Sequence, residues 1–149
     1  MKRRTVQTPL GAMCLTESDG CITAFSWDGC GQQDETPLLL EAERQLAEYF
    51  AGARRGFDLP LAPEGTPFQK AVWRALLEIP YGETRSYGEI AAAIGNARAC
   101  RAVGMANHRN PIPVLIPCHR VIGADGSLTG FGGGLDRKAL LLTLEKSKK

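Results

Sequence analysis

The apolar positions of the first 27 residues fall in short runs of β-forming residues, and those beyond Thr36 recur at helical spacing. Residues 5–10 and 12–16 flank Gly11, while 21–27 follow the turn Ser18-Asp19-Gly20 and end at Asp28-Gly29. Runs of this length between Gly and Asp predict a small antiparallel meander. Thr36-Pro37 predicts a helix start, with Thr36 as N-cap and Pro37 in the first turn. Leu38, Leu39, Ala42, Leu46 and Phe50 keep one side of that helix apolar, and Gly52 stops it. Residues 53–65 are rich in Arg, Pro and Gly and read as a linker.

Thr66-Pro67-Phe68-Gln69 repeats the start signal, with Gln69 placed to close a capping box. Phe68, Val72, Trp73, Leu76 and Leu77 form a stripe that reads as core, ended by Pro80 and Gly82. Ser86-Tyr87-Gly88-Glu89 is a second capping box and opens a short helix with Ile90 and Ile94 on one face. Gly95-Asn96 turns, and a further helix is expected from about Ala97 to His108. Two short helices joined by a tight turn, the second rich in Arg, have helix-turn-helix form. On that second helix Ala97, Ala99, Cys100, Ala102, Gly104 and Ala106 leave one surface nearly bare, and Arg98, Arg101 and Met105 share a face. A close helix contact in a core would explain the alanines but not the arginines. The last helix, Leu135 to about Lys146, takes Leu140, Leu141 and Leu144 as its apolar face and ends with Glu145, before a frayed tail.

Between these helices, residues 110–123 are organised around Cys118-His119-Arg120. Val114, Leu115 and Ile116 precede the triplet and Val121 and Ile122 follow it, so the segment should thread a core. Pro111, Pro113 and Pro117 stiffen the approach. A thiol beside an imidazole is the simplest nucleophile–base pair a protein has. An isolated Cys-His pair is more often a small buried hydrophobe and its neighbour; the prolines and the adjacent Arg120 tilt this one toward chemistry.

Composition narrows the class. The chain of 149 residues, 44% apolar and 23% charged, fits one ordinary soluble domain or two small ones. No apolar run would cross a bilayer, and the basic start lacks the apolar stretch of a signal peptide, so the cytoplasm is expected and a membrane is not. Five cysteines without close pairing argue against a disulfide framework. A zinc site from Cys14, Cys21 and Cys30 would lack a fourth ligand, so no metal is expected. Residues 1–65 carry 6 basic and 10 acidic side chains (−4), and residues 66–149 carry 12 and 6 (+6), which points the second half alone at a polyanion. Thr129-Gly130-Phe131-Gly132-Gly133-Gly134 lacks the Lys-Ser/Thr of a P-loop, which argues against a nucleotide cofactor.

Ile-Pro-Cys-His-Arg-Val at 116–121 resembles the active-site motif of the O6-alkylguanine-DNA alkyltransferases. Thr66-Pro-Phe-Gln, Pro80-Tyr-Gly-Glu-Thr, Ser86-Tyr-Gly-Glu-Ile-Ala, Arg101-Ala-Val-Gly, Asn110-Pro and the glycine loop follow the family's order. The resemblance is strong over about 66–146 and loose before that. It implies an α/β (α+β) chain. Residues 1–60 would be a small antiparallel sheet with a helix, ribonuclease H-like and supporting. Residues 66–149 would be a mainly helical, winged-helix or helix-turn-helix-like domain that binds DNA and accepts the alkyl group.

The resemblance further implies direct, single-use transfer from O6-alkylguanine, or O4-alkylthymine, in double-stranded DNA to Cys118, without a cofactor and by a monomer. A thiolate is the attacking species, so a lowered thiol pKa is expected. By resemblance His119 is the base, acting through a water, because direct contact is awkward in an extended segment. Glu145 orients His119, and Tyr87 donates to the base edge. Asn110 links the DNA-binding helices to the Cys segment. Backbone groups of Cys118 and Val121 read the exocyclic amine, Phe131 walls the pocket, and the amide near Gly132 faces O6. The target base must leave the stack, and Arg101 fills the gap from the minor groove, with Arg98, Ala99 and Cys100 beside it. Phe131 stands where many relatives have Tyr and Gly132 where some have Ser, which bears on the alkyl groups accepted. Two other classes compete. An alkyltransferase-like lesion binder would lack the reactive cysteine, and a plain helix-turn-helix regulator would leave Cys118 inert.

Overall fold

The structure is a computed structural model describing residues 1–128 and 133–147. It divides into two compact units, Met1–Glu64 and Gly65–Lys149.

In the first unit, β1 (Lys2–Thr8), β2 (Gly11–Ser18) and β3 (Cys21–Ser26) form an antiparallel sheet in that order. Gly11 and Gly20 turn the strands at φ of 110° and 77°, values that suit glycine. Helix α1 (Pro37–Phe50) starts as the sequence predicts, with the Thr36 hydroxyl accepting from Leu39 N–H at 3.1 Å. Its buried Leu39, Ala42, Leu46 and Tyr49 and the sheet's Met13, Leu15, Ile22 and Phe25 make the core. Two expectations change here. Residues 58–62 are not a free linker: Ile22 donates to Pro60 O at 2.8 Å, Ala62 donates to Ile22 O at 2.9 Å, and Gln45 bonds both backbone groups of Asp58. A proline tolerates this place because only its carbonyl is used. Cys14 and Cys30, 5.6 Å apart at Cα, are joined as a disulfide. Their 16-residue separation hides a pairing that the fold of the meander brings about.

In the second unit, α2 (Pro67–Leu77) and α3 (Tyr87–Ala93) both begin with complete capping boxes, Thr66/Gln69 and Ser86/Glu89. Each satisfies two orphan N–H groups at the helix start. Trp73 donates from Nε1 to Ala106 O at 2.9 Å, fastening α2 to α4 (Cys100–His108). α4 starts later than the sequence suggests, at Cys100, with Ala99 as an N-cap that makes no side-chain bond. Arg98 therefore precedes the helix and shares no helical face with Arg101. β4 (Arg85–Ser86) pairs in parallel with β5 (Val121–Ile122). The last helix, α5 (Leu135–Ser147), departs most from expectation. Its buried residues are Lys138, Leu141 and Glu145, while Leu140 is 40% exposed. A charged pair at i and i+7, with Leu141 between, turns inward in place of the leucine face.

Candidate active site

Residues 112–121 are buried throughout, as their apolar flanks predict. The approach is folded rather than straight. Asn110 accepts from Ile112 N–H at 3.0 Å through Oδ1 and donates from Nδ2 to Ile116 O at 2.9 Å. Inside this clamp Val114 is held at φ 71°, a costly conformation for a β-branched residue and a sign that the loop is tightly determined. Cys118–Arg120 then make a single 3-10 turn, not the extended run the sequence suggests. The turn puts a 3% exposed thiol at its start and sends His119 and Arg120 into the interior.

Those two side chains converge on Glu145 of α5. His119 Nε2 lies 2.7 Å from Glu145 Oε2. Arg120 donates from Nε to Oε1 at 2.8 Å and from Nη2 to Oε2 at 2.9 Å, and its Nη1 donates to Ile79 O at 2.8 Å. Since Nε2 faces a carboxylate, it carries the proton of a neutral imidazole. Nδ1 is then the free acceptor, and it is buried without a hydrogen-bond partner. Lys138, fully buried, donates to the Val121 carbonyl.

Burial and charge set the proton positions. Burial pushes the Cys118 thiol up to about 11, against opposing pulls from the Asn110 hydrogen bond and the Lys138 charge. The expected low-pKa thiol is thus not what the free protein holds; desolvation of the thiolate outweighs the groups that favour it. Burial also lowers the pKa of His119, despite Glu145 beside it. Burial would raise Glu145, but hydrogen bonds from His119 and Arg120 prevail and hold its carboxyl well below the carboxylate range. Lys138 is brought down to about 8 by burial, with Cys118 opposing. The resting arrangement is a protonated thiol, a neutral imidazole with one free nitrogen, and a carboxylate neutralised by arginine. Such a set can take a proton from sulfur as sulfur forms a bond, and the His–Glu–Arg chain stabilises the imidazolium that results.

The other predicted residues divide. Asn110 is in the clamp, and Val121 follows the turn. Tyr87 begins α3, half-buried, with ring carbons 3.9 Å from where a Cβ on Gly104 of α4 would lie. Arg98, Cys100 and Arg101 are exposed and Ala99 is half-buried, so the four belong to the outer side of the chain around the start of α4, while His119 and Glu145 are buried. Phe131 and Gly132 lie outside the described residues. Among the described residues no group of three or more His, Cys, Asp or Glu could hold a metal, and no helix is long and apolar enough to cross a membrane. Sequence reasoning missed Lys138 and Asn107 and gave Arg120 no partner. The available signal was the spacing 138, 141 and 145, which puts Lys138 on the same face as Glu145.

Comparison with known proteins bears on both units. The 6-O-methylguanine DNA methyltransferase ribonuclease-like domain matches residues 1–63, and the DNA binding domain of the same name matches 67–147. A methylated-DNA–protein-cysteine methyltransferase of Methanosarcina acetivorans is 67% identical over 149 residues, covering 95% of this chain and 96% of the relative. The constitutive one of Bacillus subtilis is 49% identical over 154 residues, covering 95% and 93%. The crystal structure of Mycobacterium tuberculosis OGT in complex with DNA superposes with a TM-score of 0.89 at 48% identity, covering 99% of this chain and 94% of that one.

Proposed function

The chain belongs to the 6-O-methylguanine DNA methyltransferase family, and on that premise we propose that it moves an alkyl group from O6 of a damaged guanine in duplex DNA onto Cys118. The observation that carries this reading is a buried thiol next to an imidazole whose far nitrogen is held by an Arg-neutralised carboxylate. The sulfur–carbon bond forms as the carbon–O6 bond breaks. The thiol proton passes through a water to His119 Nδ1, and the departing guanine takes up a proton at its base edge, with Tyr87 as donor. The product is a thioether, from which sulfur does not leave readily, so each chain acts once.

The remaining assignments follow the same reading. Residues 66–149 bind DNA and accept the alkyl group, and 1–60 support them. A buried thiol cannot reach O6 inside a duplex, so the base is flipped out. Arg101, exposed on α4, enters the stack in its place, with Arg98, Ala99 and Cys100 against the backbone. Asn110 keeps the Cys118 segment fixed by its two bonds. The chain works as a monomer. A lesion binder without transfer is disfavoured by the presence of Cys118 and its base.

Intact-mass measurement after incubation with a duplex carrying O6-methylguanine tests this. One added CH2, mapped by digestion to Cys118, is expected. No mass change, or methylation at Cys21 or Cys100, would defeat the reading.

A further inference from the structure

One buried polar side chain has no part in the reaction derived above. Asn107, on the inner side of α4, is 1% exposed. Its Nδ2 donates to the main-chain carbonyl of Cys118 at 3.3 Å. That carbonyl also accepts the Val121 N–H, the bond that closes the 3-10 turn. The Asn107 Oδ1 is buried with no hydrogen-bond partner. The amide's donor is used and its acceptor is not, so apolar packing is not what Asn107 supplies at this position. Val103 and Ala106 fill the same side of the helix with apolar atoms. Six positions before Asn107, α4 presents the exposed Arg101. One helix thus joins the surface that would meet DNA to the carbonyl of the acceptor residue.

We propose that Asn107 is a positioning residue for the transfer, its amide fixing the Cys118 carbonyl, and with it the direction in which the thiol points, relative to α4. The proposal rests on the transfer reading. Displacement at a saturated carbon needs the sulfur in line with the breaking bond, and a misplacement of about 1 Å costs about 100-fold in rate. Without the Asn107 bond the Cys118 carbonyl keeps only the Val121 N–H, and the thiol explores directions that do not react. DNA binding, which uses the outer side of α4, is left intact.

Two variants of the full chain test it. Asn107→Leu keeps the shape and removes the donor. Asn107→Asp keeps an acceptor and donates only while its carboxyl is protonated, a state that burial favours and rising pH removes. Single-turnover transfer is measured at saturating O6-methylguanine duplex from about pH 6 to about pH 9, and affinity for that duplex is measured with Cys118→Ser added. Asn107→Leu should transfer about tenfold or more slowly, with affinity within about twofold of the parent. The Asn107→Asp rate, divided by wild type, should fall about tenfold as pH rises. A wild-type rate in Asn107→Leu, a ratio flat with pH in Asn107→Asp, or affinity and rate falling together would overturn the proposal. A wild-type chain that gains no methyl would instead defeat the transfer reading, and this inference with it.

Discussion

The two units put their charges in opposite places. In Met1–Glu64 the ion pairs lie at or near the surface: Arg44 meets Glu41 and Glu48, Arg54 meets Glu48, and Arg4 meets Glu43, with every side chain at least 16% exposed. In Gly65–Lys149 the Arg120–Glu145 pair is 7% and 1% exposed, and Lys138 and His119 are fully buried. Surface pairs add little to stability and need no further explanation. Buried ones lose hydration that only near-ideal geometry restores, so an apolar core would hold the fold as well or better. The second unit accepts that cost around one thiol, and there the buried charge marks chemistry.

The contrast can be broken in several ways. The largest effect expected is on chemistry: His119→Ala should slow single-turnover transfer by about 10²–10⁴-fold, the range for loss of a general base, while the chain still binds methylated duplex. An unchanged rate would mean that sulfur needs no base despite its raised pKa. Next, Arg120→Ala leaves Glu145 a buried charge without its cation and should cost about 3–5 kcal/mol of second-unit stability in urea unfolding. With Trp27 replaced by Phe, the emission of buried Trp73 reports on that unit alone.

Acid should act on the same unit. Folded His119 has a lowered pKa, so the unfolded chain binds its proton first, and stability falls as pH drops below about 6.5. Glu145 works in the same direction at lower pH: its folded pKa is depressed, so its contribution is present above the unfolded value and lost below it. The Trp73 signal should therefore weaken in urea resistance from about pH 7 downward, and a flat profile would contradict the assigned proton positions. Arg101→Ala should slow repair of duplex more than of single strands, by about tenfold or less, since unstacking costs a few kcal/mol only in duplex. Equal slowing in both would remove Arg101 from the stack. The smallest effect belongs to the first unit, where Arg4→Ala breaks a part-exposed pair with Glu43 and should cost less than about 1 kcal/mol.

What could be read from the sequence, and what could not, follows the same division. The caps at Thr36, Thr66 and Ser86 are local devices, complete within four residues, and each starts its helix where the residues say. The meander and the buried run around Cys118 are equally local, since period and apolar flanks define them. Hydropathy assigns Lys138 and Asn107 to water; the face shared with Glu145 was the hint for Lys138, and only the folded chain supplies the carbonyls that both bond. The same reasoning misplaced the inner face of α5, where Leu140 looks like core and is not. The Cys14–Cys30 pair and the edge formed by residues 58–62 depend on contacts between distant segments, which no local pattern carries.

The proposed transfer consumes a single sulfur. Titrating the full chain with excess O6-methylguanine duplex and counting methyl groups transferred tests this most directly. The count should stop at one per chain and stay at zero for Cys118→Ser. A count that climbs past one, or a Cys118→Ser protein that still transfers, would contradict it.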